Sequence, residues 1–91
     1  MEKTIMKIHF YSDPGHGWAA VKRTVLTDLG IADKVSTYSY QRGQSVYLEE
    51  DCDLSLLIGA FKQAGITPAF VDHFTNRRSP IRSYQTYKAQ P

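Results

Sequence analysis

Apolar residues recur along this chain in two rhythms. Within residues 51–65, Leu54, Leu57, Ile58, Phe61 and Ala64 fall at i, i+3, i+4, i+7 and i+10, which is one stripe of an α-helix. Asp51 or Asp53 stands where it can cap the first free amides, and Gly65 where it can end the helix left-handed. Within residues 4–12, Met6, Ile8 and Phe10 alternate with Lys7, His9 and Tyr11, the period of a half-buried strand. Asp13-Pro14-Gly15 predicts a type II turn and residues 17–23 the returning strand, with His16 and Trp18 near the hairpin tip.

Further along, Thr24 is a candidate cap for a short helix at 25–29. Val25, Leu26 and Leu29 give its apolar side, Gly30 its stop, and Ile31 can pack back on its last turn. Residues 35–40 and 45–50 predict a second hairpin about Gln41-Arg42-Gly43-Gln44. A two-residue turn and a three-residue loop with Gly43 left-handed are both open, one residue apart in register. Either places Tyr38 and Tyr40 on one face. Residues 67–74 read as a strand whose early Pro68 marks a beginning or a sheet edge. A loop at 76–80 leads to a last strand at 81–87, and residues 88–91 are expected to fray. The order β-β-α-β-β-α-β-(β) predicts a single α+β domain over residues 1–91. It should have a mostly antiparallel sheet of four to six strands, one main helix (51–65) and one short helix (24–30), the main helix packed on one sheet face.

Composition narrows the class without naming a function. The 91 residues are 42% hydrophobic and 22% charged, as in an ordinary globular domain with one core. No apolar run approaches bilayer length, and Lys3, Lys7 and His9 interrupt the apolar core that a signal peptide needs. Cys52 is the single cysteine, so no internal disulfide can form. These features predict a cytoplasmic protein with no membrane contact. Net charge is +2, but it is unevenly placed: residues 1–73 hold seven Lys/Arg against nine Asp/Glu, whereas 74–91 hold Arg77, Arg78, Arg82 and Lys88 with no acid. A negative pole at Glu49-Glu50-Asp51-Cys52-Asp53 and a positive strip after residue 74 follow.

Four stretches are candidate chemistry. Asp13-Pro14-Gly15-His16-Gly17-Trp18 could offer His16 and an exposed Trp18 indole to a flat ligand. Tyr38, Tyr40, Tyr47, Tyr84 and Tyr87 could stack bases while arginines take phosphates. Arg77, Arg78 and Arg82, with Tyr84, form a basic strip suited to phosphates or an acidic protein. The acidic run beside Cys52 lacks calcium-loop spacing and a second cysteine, and helix capping accounts for it, so no metal or cofactor is expected. An enzyme using His9, His16 and His73 as acid and base is the remaining alternative, on three unrelated positions and with no catalytic set.

With His16-Gly17-Trp18, Tyr38-Ser39-Tyr40, Tyr47-Leu48-Glu49-Glu50-Asp51-Cys52-Asp53 and Arg82-Ser83-Tyr84, the chain resembles small proteins carried by bacteriophages and other mobile elements. The resemblance attaches no activity and no residue roles. It implies a setting, the cytoplasm of a bacterial host, in which compact proteins act by binding: they block a host defence complex, sequester a nucleotide, or cover nucleic acid. The combined expectation is a non-enzymatic accessory protein whose partner is a host protein complex or a nucleotide. Its site residues are His16, Trp18, Tyr38, Tyr40, Arg77, Arg78, Arg82 and Tyr84. A single-stranded nucleic-acid module is the alternative, and exposed strand edges are compatible with a homodimer.

Overall fold

The computed structural model describes residues 4–90. The elements are β1 (Thr4–Ser12), β2 (Gly17–Lys22), α1 (Arg23–Asp28), β3 (Tyr40–Arg42), β4 (Ser45–Glu49), α2 (Leu54–Ala64), β5 (Ile66–Phe74), a 3₁₀ turn (Pro80–Ser83) and β6 (Gln85–Thr86). One six-stranded sheet runs β5-β1-β2-β4-β3-β6. All its pairings are antiparallel except β1 with β5, which run parallel in register from Thr4↔Ile66 to Ser12↔Phe74. The α+β class, the mostly antiparallel sheet and the main helix are as the sequence predicts.

The two rhythms build the two faces of this sheet. Ile8 of β1, Ala19 and Val21 of β2, and Val46 and Leu48 of β4 are buried together with Leu26, Ile31, Leu57, Phe61 and Tyr87. Both helices therefore cover the face formed by the even positions of β1. Leu57 and Phe61 are fully buried, each removing enough apolar area to stabilise the fold by about 1.5–3 kcal/mol. The opposite face carries Lys7, His9, Tyr11, Trp18, Ala20, Tyr40, Arg42, Tyr47 and Glu49, as the alternation and the ladder partners require. Among the described residues, neither α1 nor α2 lies on it.

Both helices stop where expected, at Gly30 and Gly65. At α1 the Gly30 amide donates to the Thr27 carbonyl and the Ile31 amide to Leu26. This double bond pattern needs the left-handed glycine between them. Thr24 is not the cap of α1. The cap lies two residues earlier, at the extended Lys22, and the Arg23 amide donates to the Gln44 carbonyl. Neither Asp51 nor Asp53 caps α2 through its side chain. Asp53 instead faces the 35–39 segment, accepting from the Ser36 amide and hydroxyl and from the Ser39 hydroxyl.

That contact corrects the second hairpin. Residues 35–39 are turns and bends rather than strand, and β3 starts only at Tyr40. The loop is the two-residue Gly43-Gln44, since Arg42 pairs with Ser45. Gly43 has φ 59° and Gln44 is not left-handed, as a II′ turn needs. The last predicted strand, 81–87, begins as the 3₁₀ turn, and β6 is reduced to two residues. Lys88 is held by Gln41 and Arg23, so it does not fray. Pro91 lies outside the described residues. Among the described residues no helix is long and apolar enough to cross a membrane.

Candidate functional site

The turn after β1 is built around Asp13. Its carboxylate accepts from the Gly15 and His16 amides through Oδ1 and from the Ser79 amide through Oδ2. Arg82 donates to both oxygens, at 2.7 Å from Nε and 2.8 Å from Nη2. The guanidinium, opposed only in part by burial, holds the carboxyl far below the usual carboxylate range. Gly15 is not left-handed, so the predicted type II turn is absent. The glycines flanking His16 have a steric purpose instead. A Cβ on Gly15 would sit 2.6 Å from Arg82 Nη2, and one on Gly17 would sit 2.5 Å from the Phe10 ring.

A cleft of about 250 Å³ opens beside this turn, lined by His16, Trp18, Tyr38, Tyr40, Glu49, Asp51, Cys52 and Arg82. Five of the sequence-predicted site residues thus meet, although not in the expected roles. Trp18 is 1% exposed and packs edge-on to Tyr40 with Arg82 across its ring. It has no free face to stack on a ligand, which corrects the exposed-indole reading. Arg82 is committed to Asp13. His16 is 47% exposed and its Nδ1 lies 3.3 Å from Glu49 Oε1. Tyr38 is exposed on the 35–39 turn rather than paired with Tyr40 on a strand face. Desolvation and then the Glu49, Asp53 and Asp51 carboxylates push the Cys52 thiol up, the opposite of an activated nucleophile.

A second region, larger and more exposed, crosses the helix-free face. The His73 ring stacks on Tyr11 at 4.7 Å and 16°, and His73 Nε2 lies 2.9 Å from His9 Nδ1. Tyr11 meets Tyr47 at 6.4 Å and Tyr47 meets Tyr84 at 5.2 Å. The Arg42 guanidinium lies over the Tyr84 ring at 5.2 Å. Burial, with Tyr84 and Tyr11 beside it, pushes the Tyr47 phenol up, so this ring stays neutral. The row crosses the sheet from β5 to beyond β4, roughly 20 Å at ordinary strand spacing.

The ladder between β1 and β2 covers only His9↔Ala20 to Ser12↔Gly17, and beyond it the strands part. The gap forms a depression of about 400 Å³ with Ile8, Ala20, Val21 and Val25 among its walls and Lys7, His9, Tyr11, Lys22 and Tyr47 around them. Lys7, Lys22 and Arg42 are exposed, and among the described residues none is in an ion pair.

Of the tyrosines and arginines expected to bind, Tyr47 and Tyr84 belong to this row. Arg77 and Arg78 are exposed on the loop after β5, and Tyr87 is buried in the core with its hydroxyl donating to Ala32. The sequence reading undervalued His9, Tyr11, His73 and Lys7. The i, i+2, i+4 spacing of Lys7, His9 and Tyr11 on β1 is visible in the sequence, but the parallel β1–β5 register that brings His73 to His9 is not. The chain matches no protein family, no curated protein and no solved structure.

Proposed function

We propose that this protein is a non-enzymatic binding module that holds single-stranded nucleic acid across its helix-free sheet face. The continuous row His9–His73–Tyr11–Tyr47–Tyr84, ended by Arg42, carries the reading. Flat rings that follow one another across the sheet offer stacking surfaces to successive bases, each worth about 1–3 kcal/mol where stacking is good. Lys7, Lys22, Arg42 and the loop pair Arg77 and Arg78 stand ready for phosphates. The row is longer than one base, which favours an oligonucleotide over a free nucleotide. Action within a bacterial host, on a host defence component or its nucleic-acid cofactor, is the setting in which such a small accessory binder fits.

Fluorescence anisotropy with labelled dT12 and rU12 tests this. Micromolar or tighter binding is expected, falling steeply with added salt and reduced at least tenfold by a Tyr11→Ala, Tyr47→Ala double substitution. Binding that tolerates the double substitution, or no binding at 50 mM salt, would remove the proposal. Tighter capture of a mononucleotide than of either oligomer would shift it to nucleotide sequestration.

A further inference from the structure

The cleft beside the Asp13 turn holds a donor set that the nucleic-acid reading does not use. His16 comes from the β1–β2 turn, and Glu49 and Asp51 from the end of β4 and the turn after it. The Trp18↔Glu49 pairing of β2 with β4 brings these segments side by side. One ligating atom from each of His16, Glu49 and Asp51 lies within 4.8 Å of the other two. Donors around one tetrahedral ion at 2.0–2.2 Å stand about 3.3–3.6 Å apart. Closing the set therefore asks for a swing of up to about 1.5 Å, which the exposed His16 and Asp51 side chains can make around the buried Glu49.

The centre of the set is preorganised. Glu49 is 6% exposed. Its Oε2 accepts from the Asp51 and Cys52 amides at 2.8 and 2.9 Å, which aims Oε1 at His16 Nδ1. The His16 backbone is in turn fixed by Asp13. Held carboxylates and backbone amides of this kind are what orient metal ligands in established sites. Charge also calls for a cation. The Glu49 and Asp51 carboxylates converge on one side of the cleft. The guanidinium that lines the same cleft, Arg82, is spent on Asp13. Among the described residues, Asp51 has no cationic partner, and the imidazole of His16 is the only cation-capable group that Glu49 meets within 4.0 Å.

We propose that His16, Glu49 and Asp51 form a binding site for one borderline-soft divalent cation of the Zn²⁺ type. The ion takes His16 Nδ1, Glu49 Oε1 and an Asp51 oxygen, and leaves its remaining position open to the cleft, where Tyr38 and Tyr40 stand. An imidazole among the donors favours Zn²⁺, Co²⁺ or Ni²⁺ over Mg²⁺ and Ca²⁺, which prefer all-oxygen shells. Binding ties the β1–β2 turn to the segment that leads into α2.

The test is calorimetric titration of ZnCl₂ and MgCl₂ into the chelator-treated full chain. One Zn²⁺ per chain is expected, with no saturable Mg²⁺ signal. His16→Ala and Asp51→Asn, both at exposed positions, should each weaken Zn²⁺ binding at least tenfold, whereas His73→Ala should leave it unchanged. Imidazole NMR of the unmodified chain gives a readout independent of how the variants fold: Zn²⁺ should move the His16 ring resonances in a saturable way. Absence of one-to-one binding would overturn the proposal. So would unchanged affinity in both cleft variants, or ring shifts confined to His9 and His73.

Discussion

Asp13 and Arg82, 69 positions apart, form a two-oxygen ion pair in which the Asp13 side chain is wholly buried. The pair fastens the turn after β1 to the 3₁₀ turn near the end of the described chain, and Ser79 completes the shell.

Breaking it strands a charge. Asp13→Asn keeps the size of the side chain but removes the carboxylate from Arg82, Ser79 and the turn amides. Loss of one partner from a buried pair costs about 3 kcal/mol. Urea denaturation of the variant should show a correspondingly lower midpoint with an unchanged slope.

The same pair sets an acid limit. The Asp13 carboxyl is depressed in the fold, so its contribution is fully present above the carboxylate value of the unfolded chain, near 3.9. That contribution is lost as pH falls below that value. Denaturation from pH 6 down to pH 2, with chelator present, should show stability falling through this window. The fall should be markedly shallower in Asp13→Asn.

Gly17 tests whether the glycines around His16 serve packing. Gly17→Ala places a methyl against the Phe10 ring at a distance no side chain tolerates. Overpacking of this kind costs about 1–3 kcal/mol. A Gly17→Ala, Phe10→Leu double variant should recover part of the loss, as a thermal melt would show.

Arg77 and Arg78 test the basic strip separately from the rings. Both are exposed, and charge reversal at the two positions should leave the melting temperature within about 2 °C, as expected for surface changes. If they meet phosphates, oligonucleotide affinity falls and the slope of log K against log salt shrinks by about one per lost contact. An unchanged slope would place the strip outside the nucleic-acid path.

The 35–39 segment should depend on Asp53. Asp53→Ala removes the acceptor shared by Ser36 and Ser39. Hydrogen exchange at residues 36–39 should accelerate, while amides of β1 and β2 keep their protection.

Much of the architecture was legible because it rests on local rules. The α2 stripe from Leu54 to Ala64, the alternation through β1 and the glycine stops are each decided by neighbours in sequence. The errors came where a distant group overrode them. Residues 35–39 carry strand-forming Val35, Thr37 and Tyr38, yet Asp53, well over ten residues away, draws Ser36 and Ser39 into a turned path. Trp18 sits on the face without helices, where exposure was the natural expectation. Arg82, Tyr40 and the 3₁₀ turn close over it, and no spacing announces that cover. The ring row was half readable: β1 displayed His9 and Tyr11 on one side, but their meeting with His73 depends on a parallel partner that alternation alone cannot specify.

That parallel partner also governs how the molecule assembles. Thr4 to Ser12 gains its outer neighbour only from Ile66 to Phe74, a separation of about sixty residues, which makes this zipper the contact with the largest loop-closure cost in the sheet. During synthesis β5 follows β1 and α2 in the chain, so the outer flank of β1 cannot be filled until Ile66–Phe74 has been made. His9 and His73 cannot touch before that moment, so the ring row depends on β5 finding the flank of β1.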